Sequence, residues 1–581
     1  MNTYCNPLNL HYQYQHYGRG AHREAADPTL IYYKERYYLF ASMSGGFYYS
    51  DDMIHWKYHK NRNLELYHYA PDAREINGKL VFCASCRKEN GLFLRTEDPL
   101  SDEFERIEGQ FEFWDPNLFQ DEDGRVYFYW GCNCGKPLYG VELDPDTLQT
   151  IGEVHNLIFG MPDEHGFERR EYPGAPVNNL SFTMKLYFWL MKISGQGGPN
   201  DPYIEGAFMN KWNGQYYFQY AAPATEHDTY GDGVYLAETP FGPFTYQQHN
   251  PFSYKPGGFI TAAGHGSTIE DQYGNLWHAS TMHISSNTNF ERRVGLFPAG
   301  IDAKGILFCN QNFADYPLEI PKGKFEPMAI QPKWMLLSYN KPVTTSSVWK
   351  DYRPEYAVDE NIKTSWCAEG CENEWVIIDL KTKCEVHAIQ INISDVEVPL
   401  LKVDKSEKSS IETNNRYIDQ SENLKTAWIL EGSIDGNAWR TLCDKSAGEE
   451  DLSNDYIEFD DTKQIQYVRL TFKKLPYHKR AAISGLRVFG TSTKTAPKKV
   501  ESITIHKCDD MTAELSWEKS KDAIGYNVRY GISPEQMYSS HMVYGTEQVL
   551  LTALNKGKSY YVAVDAFGEG GITTGNAQRM E

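Results

Sequence analysis

Four carboxylates and one histidine recur at the same place in a strand–turn–strand pattern that the first half of the chain repeats five times. They are Asp27, Asp72, Asp115, Glu205 and His265. Each opens an apolar strand, and a tight turn, often Asn-Gly or Asp-Gly, leads back into a strand rich in aromatic residues. Acid groups that converge in a pocket can hydrolyse a sugar acetal, because one protonated carboxyl assists the departing oxygen while one ionised carboxylate activates water.

The repeat indicates how these side chains are brought together. Self-similarity at a spacing of several tens of residues is typical of propellers, in which the same position of every blade faces one central channel. Taken alone, an Asp before Pro at the start of a strand, such as Asp27, is more often a turn residue. The shared position of the five residues favours a common pocket, and we predict that at least three of them are catalytic.

Three short motifs occur in a fixed order along this part of the chain. They are Ala25-Ala26-Asp27-Pro28, Trp114-Asp115-Pro116 and Ile204-Glu205-Gly206-Ala207-Phe208. Through these motifs, residues 5–335 resemble glycoside hydrolase family 43, whose members are five-bladed β-propellers. The resemblance implies that Asp27 is the general base, that Glu205 is the general acid, and that Asp115 orients the acid and modulates its proton affinity.

Two further residues follow from the same resemblance. It implies that His265 lies near the channel centre, beside a possible structural calcium, and it implies no required cofactor. The segment around Arg292 and Arg293 resembles one in which family members place an arginine against sugar hydroxyls. Adjacent strand residues face opposite ways, so only one arginine can do this, and we expect it to be Arg293. The alternative is a surface arginine paired with Glu291.

Aromatic residues make up 14% of the chain, and flat rings can pack against the C–H faces of a sugar. Trp114, Phe47 and Tyr69 lie near strand starts and are candidates for the pocket wall, although most aromatic residues of such a fold fill its core. Trp114 is the best of the three because it adjoins Asp115. Asp72 has no role implied by the resemblance, and we expect it either to contact the substrate or to be structural.

The sequence predicts a second domain beyond the repeats. Residues 336–494 read as short alternating strands, which is typical of a β-sandwich. They resemble the discoidin, or coagulation factor 5/8 type C, domain in Ala357-Val358-Asp359-Glu360-Asn361, Thr364-Ser365-Trp366 and Leu430-Glu431-Gly432-Ser433-Ile434-Asp435-Gly436. Copies attached to bacterial glycosidases commonly bind carbohydrate, and whether this one does stays open.

A third domain is expected at the C-terminal end. Residues 495–581 resemble fibronectin type III through Trp517 and the alternating strand Tyr560-Tyr561-Val562-Ala563-Val564, and we assign them no chemistry. The predicted fold class is therefore all-β. It comprises a five-bladed propeller over residues 1–335, a discoidin-like jelly-roll sandwich over 336–494 and an immunoglobulin-like sandwich over 495–581.

Charge and composition exclude several classes of partner. A net charge of −21 would repel nucleic acid and anionic membrane surfaces, and no run of residues is long and apolar enough to span a bilayer. We predict neither nucleic-acid binding nor membrane insertion. Residues 1–5 lack the basic start and apolar core of a secretion signal, so the expected location is either the cytoplasm or an exported compartment after signal removal.

The predicted function is an inverting exo-glycosidase that releases a terminal pentose, α-L-arabinofuranose or β-D-xylose, from plant polysaccharides or oligosaccharides. Exo action is favoured because loops at residues 64–71 and 161–173 could close one end of the funnel. One alternative is a glycosidase for galactose-type terminal sugars. The other, from a different class, is a non-catalytic glycan-binding propeller, against which the joint presence of Asp27, Asp115 and Glu205 argues.

Overall fold

The computed structural model describes residues 2–17, 20–61, 69–172, 201–398 and 425–580, together with a few isolated positions between these ranges. Within the five ranges nearly all regular structure is β-strand, as predicted. The helical elements there are short 3₁₀ turns at Pro99–Ser101, Gly166–Glu168, Pro327–Ala329, Pro354–Ala357 and Pro476–His478. None of the helical elements in the described part of the chain has the length and apolar character that a membrane-crossing helix needs.

The N-terminal region, defined here as residues 2–320, contains the repeated hairpins. Its strands are β1 (Thr3–Tyr4), β2 (Gln13–Tyr17), β3 (Gly20–Glu24), β4 (Ala26–Tyr33), β5 (Arg36–Ser42), β6 (Gly46–Ser50), β7 (Lys57–Lys60), β8 (Asp72–Ile76), β9 (Lys79–Cys83), β10 (Leu92–Thr96), β11 (Glu105–Glu108), β12 (Asn117–Gln120), β13 (Val126–Trp130), β14 (Asn133–Cys134), β15 (Leu138–Leu143), β16 (Thr150–Ile158), β17 (Tyr203–Trp212), β18 (Gln215–Ala222), β19 (Gly231–Ala237), β20 (Thr245–Tyr246), β21 (Ser253–Tyr254), β22 (Thr261–Glu270), β23 (Leu276–His283), β24 (Arg292–Ile301), β25 (Leu307–Cys309) and β26 (Leu318–Glu319).

Nineteen of these strands form five antiparallel runs arranged around one centre. Three are four-stranded sheets with the orders β4-β5-β6-β7, β8-β9-β10-β11 and β12-β13-β15-β16. The runs β17-β18-β19 and β22-β23-β24-β25 are joined into one larger sheet by a single parallel pair, Gly231 with Ala263. The first strands of the five runs touch in closed order: β4 contacts β8, β8 contacts β12, β12 contacts β17, β17 contacts β22, and β22 contacts β4.

Hydrogen bonds between neighbouring first strands, each involving a side chain, close this ring. The five bonds run from Thr29 Oγ1 to Pro71 O (2.9 Å), from Leu118 N to Asp72 Oδ2 (2.6 Å), from Met209 N to Asn117 Oδ1 (2.8 Å), from Asn210 Nδ2 to Thr268 O (3.1 Å) and from Leu30 N to Ser267 Oγ (2.8 Å). Because every junction has such a bond, the inner strands are held in register with one another rather than only within their own sheets.

The central region, residues 335–491, follows. Its strands are β27 (Met335–Leu336), β28 (Val343–Thr345), β29 (Trp366–Cys367), β30 (Trp375–Ile393), β31 (Arg416–Tyr417), β32 (Ala427–Ser433), β33 (Trp439–Asp444), β34 (Asn454–Lys474) and β35 (Ala482–Thr491). Eight of them make one antiparallel network, β27-β35-β30-β34-β32-β33 with β28 on β30 and β29 on β35, around a core that includes Trp366 and Trp428. The remaining strand, β31, pairs with β2 of the N-terminal region.

The C-terminal region, residues 503–580, has two antiparallel sheets on one core. Its strands are β36 (Ile503–Asp509), β37 (Thr512–Trp517), β38 (Gly525–Gly531), β39 (Ser539–Tyr544), β40 (Gln548–Leu551), β41 (Tyr560–Gly568), β42 (Gly571–Thr573) and β43 (Gln578–Met580). The first sheet has the order β36-β37-β40, and the second has the order β39-β38-β41-β42 with β43 on β41. Trp517 and Tyr526 pack edge to face between them, with ring centroids 5.1 Å apart.

Aromatic rings from all three regions meet in one cluster. Tyr316 of the N-terminal region lies 5.7 Å from Phe489 of the central region and 6.1 Å from Phe567 of the C-terminal region, measured between ring centroids. Phe313 lies 5.3 Å from Phe567 and is 2% exposed. Edge-to-face contacts of this kind add to the energy of apolar burial, so the three regions share part of their core.

A buried ion pair reinforces the contact between the N-terminal and central regions. Arg487 donates to both carboxylate oxygens of Glu360, at 3.0 and 2.8 Å, and to the backbone carbonyl of Asp315. Both charged side chains are 1% exposed. A buried charge that loses its partner is strongly destabilising, because the desolvation cost is then uncompensated.

Replacing Arg487 by Met should therefore lower the free energy of unfolding by about 3–5 kcal/mol, since Glu360 stays buried without its partner. Differential scanning calorimetry would register this as a fall in Tm. The double variant Arg487→Met/Glu360→Leu, which removes both charges, should recover much of the loss. A single variant as stable as the parent would show that Glu360 finds compensation elsewhere.

Candidate active site at the centre of the ring

The backbone at the recurring residues is unusual and repeats from strand to strand. Asp27, Asp115 and His265 have φ values of 48°, 53° and 49°, in the left-handed region that side-chain-bearing residues rarely adopt. After Glu205, Gly206 takes the corresponding conformation with φ 64°. The strand register shifts at three of these places, between Ala26 and Thr29, between Glu205 and Phe208 and between Gly264 and Ser267. Such bulges re-aim a side chain, here toward the ring centre.

Four of the five recurring side chains converge there. His265 Nδ1 lies 3.6 Å from Asp27 Oδ1 and 3.9 Å from Asp115 Oδ2. One ligand-type atom from each of Asp115, Glu205 and His265 falls within 4.8 Å of the others. The structure thus brings together the three carboxylates and the histidine that the sequence singled out, at the place where the inner strands meet.

Asp27 is surrounded by donors that keep it ionised. Arg292 Nη1 lies 3.0 Å from Asp27 Oδ1, Ser42 Oγ donates to Oδ2 at 2.6 Å, and Thr281 Oγ1 donates to Oδ1 at 3.3 Å. Burial alone would raise the pKa of Asp27, but Arg292, His265 and these hydroxyl groups together hold the pKa below its usual value. A carboxylate in this state is suited to accept a proton from water.

At Asp115 the influences on the pKa act in the opposite direction. Burial raises its pKa well above the usual range, and the charges of Glu205 and Asp27 add to the rise, while His265 opposes it. Its Oδ2 atom is buried and has no hydrogen-bond partner in the described part of the chain, and Ser85 Oγ donates to Oδ1 only at 3.4 Å. Burial and the charges of Glu205 and Asp27 therefore favour the protonated form of Asp115.

Glu205 is held by three neutral donors. Tyr230 donates to Oε1 at 2.5 Å, and Tyr203 and Cys132 donate to Oε2 at 3.0 and 3.2 Å. Burial is the largest cause that raises the pKa of Cys132 and Tyr203 far above their usual values, so both remain protonated donors. Both oxygens of Glu205 are thereby fixed in position.

His265 joins the carboxylates electrostatically. Burial would lower its pKa, but Asp27, Asp115, Glu205 and Asp232 raise it above the ordinary value, which favours the imidazolium form. Asp232 also accepts the backbone N–H of His265 at 2.7 Å. The positive ring therefore offsets part of the negative charge that its neighbours concentrate at the centre.

The donor set of this cluster does not fit a calcium ion. Calcium prefers six to eight oxygen ligands, whereas Asp115, Glu205 and His265 offer one nitrogen and two carboxylates. Both oxygens of Glu205 already accept hydrogen bonds from tyrosine and cysteine side chains. In the central region, the carboxylate of Asp359 accepts the backbone N–H of Asn361 and the hydroxyl of Thr364, which is the pattern of a capped turn.

The expectation for Arg293 was wrong, because its neighbour Arg292 faces the site. Arg293 is 1% exposed and donates to Asn454 Oδ1 at 3.1 Å and to the carbonyl of Arg23 at 2.7 Å. Arg292 instead binds Asp27, and it binds Glu24 Oε1 at 2.6 Å. The alternation of strand β24 was anticipated, but the face that each arginine occupies depends on how β24 lies against β3.

Phe47 is not a wall residue. It is fully buried in the core between the first and second sheets, where its ring lies 5.1 Å from Phe40 and 6.1 Å from Tyr38. Asp72 is 1% exposed, and its carboxylate accepts the backbone N–H of Leu118, so it joins neighbouring inner strands.

Tyr69 and Trp114 do lie beside the cluster. Their ring centroids are 6.4 Å apart, and Tyr69 lies 5.7 Å from Phe290 and packs with Met43. The guanidinium carbon of Arg292 is 5.5 Å from the Tyr69 ring centroid. This aromatic group stands next to the charged centre, as a sugar-stacking wall would. Residues 64–68 and 173, which belong to the two loops expected to close the funnel, lie outside the described residues.

Several residues of the site carried no signal in the sequence. Glu24, Ser42, Thr281 and Tyr230 support the catalytic candidates through contacts between strands that are distant in the chain. Only Glu24 stood near a motif, three positions before Asp27. The others are ordinary strand residues until the strands are placed side by side.

An ionised carboxylate and a firmly held second carboxyl at the centre of a ring of sheets are the components of an acid–base hydrolase. Residues 21–176 and 190–307 match the family model described as glycosyl hydrolases family 43. The match covers just under half of the chain and falls inside the N-terminal region.

Curated proteins are similar to part of the chain. Xylosidase/arabinosidase 43A of Humicola insolens is 28% identical over 200 residues, which are 31% of this chain and 56% of that protein. Beta-xylosidase of Xylanibacter ruminicola is 28% identical over 193 residues, which are 30% of this chain and 54% of that protein. The chain therefore spans about half the length of the curated relatives it matches. A solved structure described as a glycoside hydrolase superposes with a TM-score of 0.45 and 16% identity, covering 80% of this chain and 97% of that one.

Gly206 offers a test of the packing at the centre. A Cβ atom at Gly206 would lie 2.8 Å from the His265 ring, on a backbone with φ +64°, whereas Gly214 at φ +78° has open space around it. Gly214→Ala should cost about 1–2 kcal/mol of unfolding free energy, which is the strain of a left-handed alanine. Gly206→Ala should cost clearly more, because the His265 ring must also move.

Urea unfolding of the two variants measures this difference directly. Equal losses of unfolding free energy in Gly206→Ala and Gly214→Ala would mean that the His265 ring yields without cost, and would contradict the close packing described for this site.

Proposed function

We propose that the N-terminal region is a five-bladed β-propeller exo-glycosidase that removes terminal pentose residues, α-L-arabinofuranose or β-D-xylose, from plant polysaccharides or oligosaccharides with inversion. The observation that carries the proposal is the pair of differently held carboxyl groups: Asp27 is bound by Arg292, and Glu205 is bound by Tyr230, Tyr203 and Cys132. The closed order of the five inner strands supports the propeller.

In this proposal Asp27 takes a proton from a water molecule as that water attacks the anomeric carbon. Glu205 delivers its proton to the glycosidic oxygen as the bond from the anomeric carbon to that oxygen breaks. One C–O bond forms and one breaks on opposite faces of the ring, so the configuration inverts. Asp115, whose pKa burial raises, faces both groups and keeps negative charge from accumulating next to the acid.

The choice of pentose rests on the relatives. Those proteins are named xylosidase/arabinosidase and beta-xylosidase, and the wall formed by Tyr69 and Trp114 offers flat surfaces for a sugar ring. No observation favours galactose-type sugars. We further propose that hydrolysis requires no added metal, which the donor set of the cluster supports, so a chelator should leave the rate unchanged.

The other two regions are proposed to be a discoidin-like domain over residues 336–494 and a fibronectin type III-like domain over 495–581. Support comes from the strand bounds, since the central network ends at Thr491 and the next strand begins at Ile503. The two facing sheets of the C-terminal region are compatible with an immunoglobulin-like sandwich.

The decisive experiment measures release of 4-nitrophenol from the aryl α-L-arabinofuranoside and the aryl β-D-xyloside, and release of free sugar from the matching unactivated disaccharides. Glu205→Gln should slow hydrolysis of the disaccharides by about 10²–10⁴-fold, because a positioned acid contributes that much. It should slow the aryl glycosides less, since 4-nitrophenol leaves without protonation.

The matched control is Glu270→Gln, the same change at the exposed outer end of strand β22, which should leave all rates unchanged. Hydrolysis of neither glycoside class by the parent protein would refute the proposed function and favour a glycan-binding propeller. Full disaccharide activity in Glu205→Gln would refute the assignment of the acid.

The pH profile tests the base. Ser42 donates to the Asp27 carboxylate at 2.6 Å, and this bond is one of the influences that lower the pKa of Asp27 against the effect of burial. Ser42→Ala should raise that pKa. Because Asp27 acts only when ionised, the acidic limb of kcat/KM should move to higher pH, by about one unit for a hydrogen bond to a charged group.

Ser44→Ala is the control for this change. Ser44 is equally buried and close in sequence, but its hydroxyl donates to the carbonyl of Gly46 and not to Asp27. Its acidic limb should coincide with that of the parent protein. An acidic limb that stays in place in Ser42→Ala would show that another group is the base.

A further inference from the structure

A cluster of charges is buried where the central region meets strand β3. Arg23 donates to both oxygens of Asp451, at 2.8 to 3.1 Å, and to Asp395 Oδ1 at 2.6 Å. Lys479 also pairs with Asp395, and Tyr14 donates to the same oxygen at 3.0 Å. The side chains of Arg23, Asp395, Asp451 and Lys479 are all fully buried. So much enclosed charge has to be placed accurately to be tolerated.

Strand β3 connects this cluster to the proposed base. Arg23 faces the central region, and the next residue, Glu24, faces the ring centre, where its Oε1 accepts Arg292 Nη2 at 2.6 Å and Nε at 3.1 Å. Arg292 in turn binds Asp27 at 3.0 Å. Arg23 and Glu24 are thus consecutive residues on opposite faces of β3, and one contacts the central region while the other contacts the ring centre.

Strand β24 repeats this arrangement. Arg292 faces Asp27, and the next residue, Arg293, faces the central region, where Asn454 Oδ1 accepts its Nε at 3.1 Å. Arg293 also donates to the carbonyl of Arg23 at 2.7 Å, which joins β24 to β3 on the side away from the substrate. The two strands that hold Asp27 in its charged state are therefore both fastened to the central region.

We propose that the central region is a working part of the active site: Asp451, Asp395 and Asn454 are positioning residues that, through Arg23 and Arg293, set Glu24 and Arg292 against Asp27. This inference rests on the proposed function for the role of Asp27. It assigns to the central region a task in hydrolysis that is independent of whether that region binds glycan.

Position matters here because Asp27 is poised between opposing influences. The charged and titratable groups that face it, together with Glu24 behind Arg292, are Arg292 on β24, His265 on β22, Asp115 before β12, Glu205 on β17 and Tyr230 before β19. Among them Arg292 makes the closest ionic contact. A small displacement of Arg292 therefore removes the largest support for the ionised form, and burial then favours the protonated one.

The test variant is Asp451→Asn, which keeps the size of the side chain and removes its charge. Positioning predicts that Arg23 shifts, that Arg292 loses its alignment, and that the acidic limb of kcat/KM moves upward by about one pH unit. Simple electrostatics predicts the opposite, because removing a nearby negative charge stabilises the ionised form of Asp27. The direction of the shift separates the two explanations.

Two further variants complete the design. Asn454→Ala involves no charge and should move the limb upward by a smaller amount, and it remains informative if Asp451→Asn does not fold. Glu360→Gln is the matched control: it also removes a buried carboxylate bound by an arginine, Arg487, next to the N-terminal region, but neither residue adjoins β3 or β24. Its acidic limb should stay in place.

A second readout does not depend on turnover. In protein labelled with ¹³C at aspartate carboxyl carbons, the Asp27 resonance, assigned by its absence in Asp27→Asn, reports the midpoint of its ionisation directly. We expect this midpoint to rise in Asp451→Asn and Asn454→Ala and to be unchanged in Glu360→Gln. If the parent protein hydrolyses no glycoside, the proposed function fails while this titration still tests the positioning. A midpoint and an acidic limb that do not rise in either variant would overturn the inference.

Discussion

The arrangement of the residues around the ring centre depends on the negative charge that is buried there. Asp27, Asp115 and Glu205 are all largely buried within reach of one histidine, and carboxylates so placed cannot all ionise freely. Arg292 settles the competition in favour of Asp27. At Asp115, burial and the charges of Glu205 and Asp27 instead raise the pKa. Different surroundings, rather than different residue types, thereby separate the roles of chemically similar groups.

The strained backbone at the ring centre depends on the hydrogen bonds that close the ring. A left-handed residue costs about 1–2 kcal/mol, and Asp27, Asp115 and His265 all adopt this conformation. Such strain persists only where the surroundings over-determine it. The hydrogen bonds at the five junctions between inner strands provide that constraint, and Asp72 is one of the residues that make them. A residue that resembles the proposed catalytic residues in sequence thus supports them from the neighbouring strand.

The sequence predicted what depends on local pattern. The shared position of Asp27, Asp115, Glu205 and His265 in the repeated hairpins correctly predicted that they meet at one centre. A strand start followed by a fixed turn repeats the same geometry in each sheet. Prediction from the sequence failed where the position of a residue depends on how distant strands pack. Arg292 and Arg293 have the same chemistry and lie on opposite faces of β24. Phe47 lies near a strand start but is buried in the core between the first and second sheets. Tyr230 has no local pattern that links it to Glu205.

The aromatic cluster of Phe313, Tyr316, Phe489 and Phe567 has a consequence for evolution and for engineering. Each of the three regions contributes a ring to it, so none of them has a complete surface of its own at this point. The sequence alone suggests three separable regions. Grafting any one of them onto another protein would nevertheless expose rings that the three regions now share. Recombination among such proteins should therefore transfer the three regions together as one inherited block.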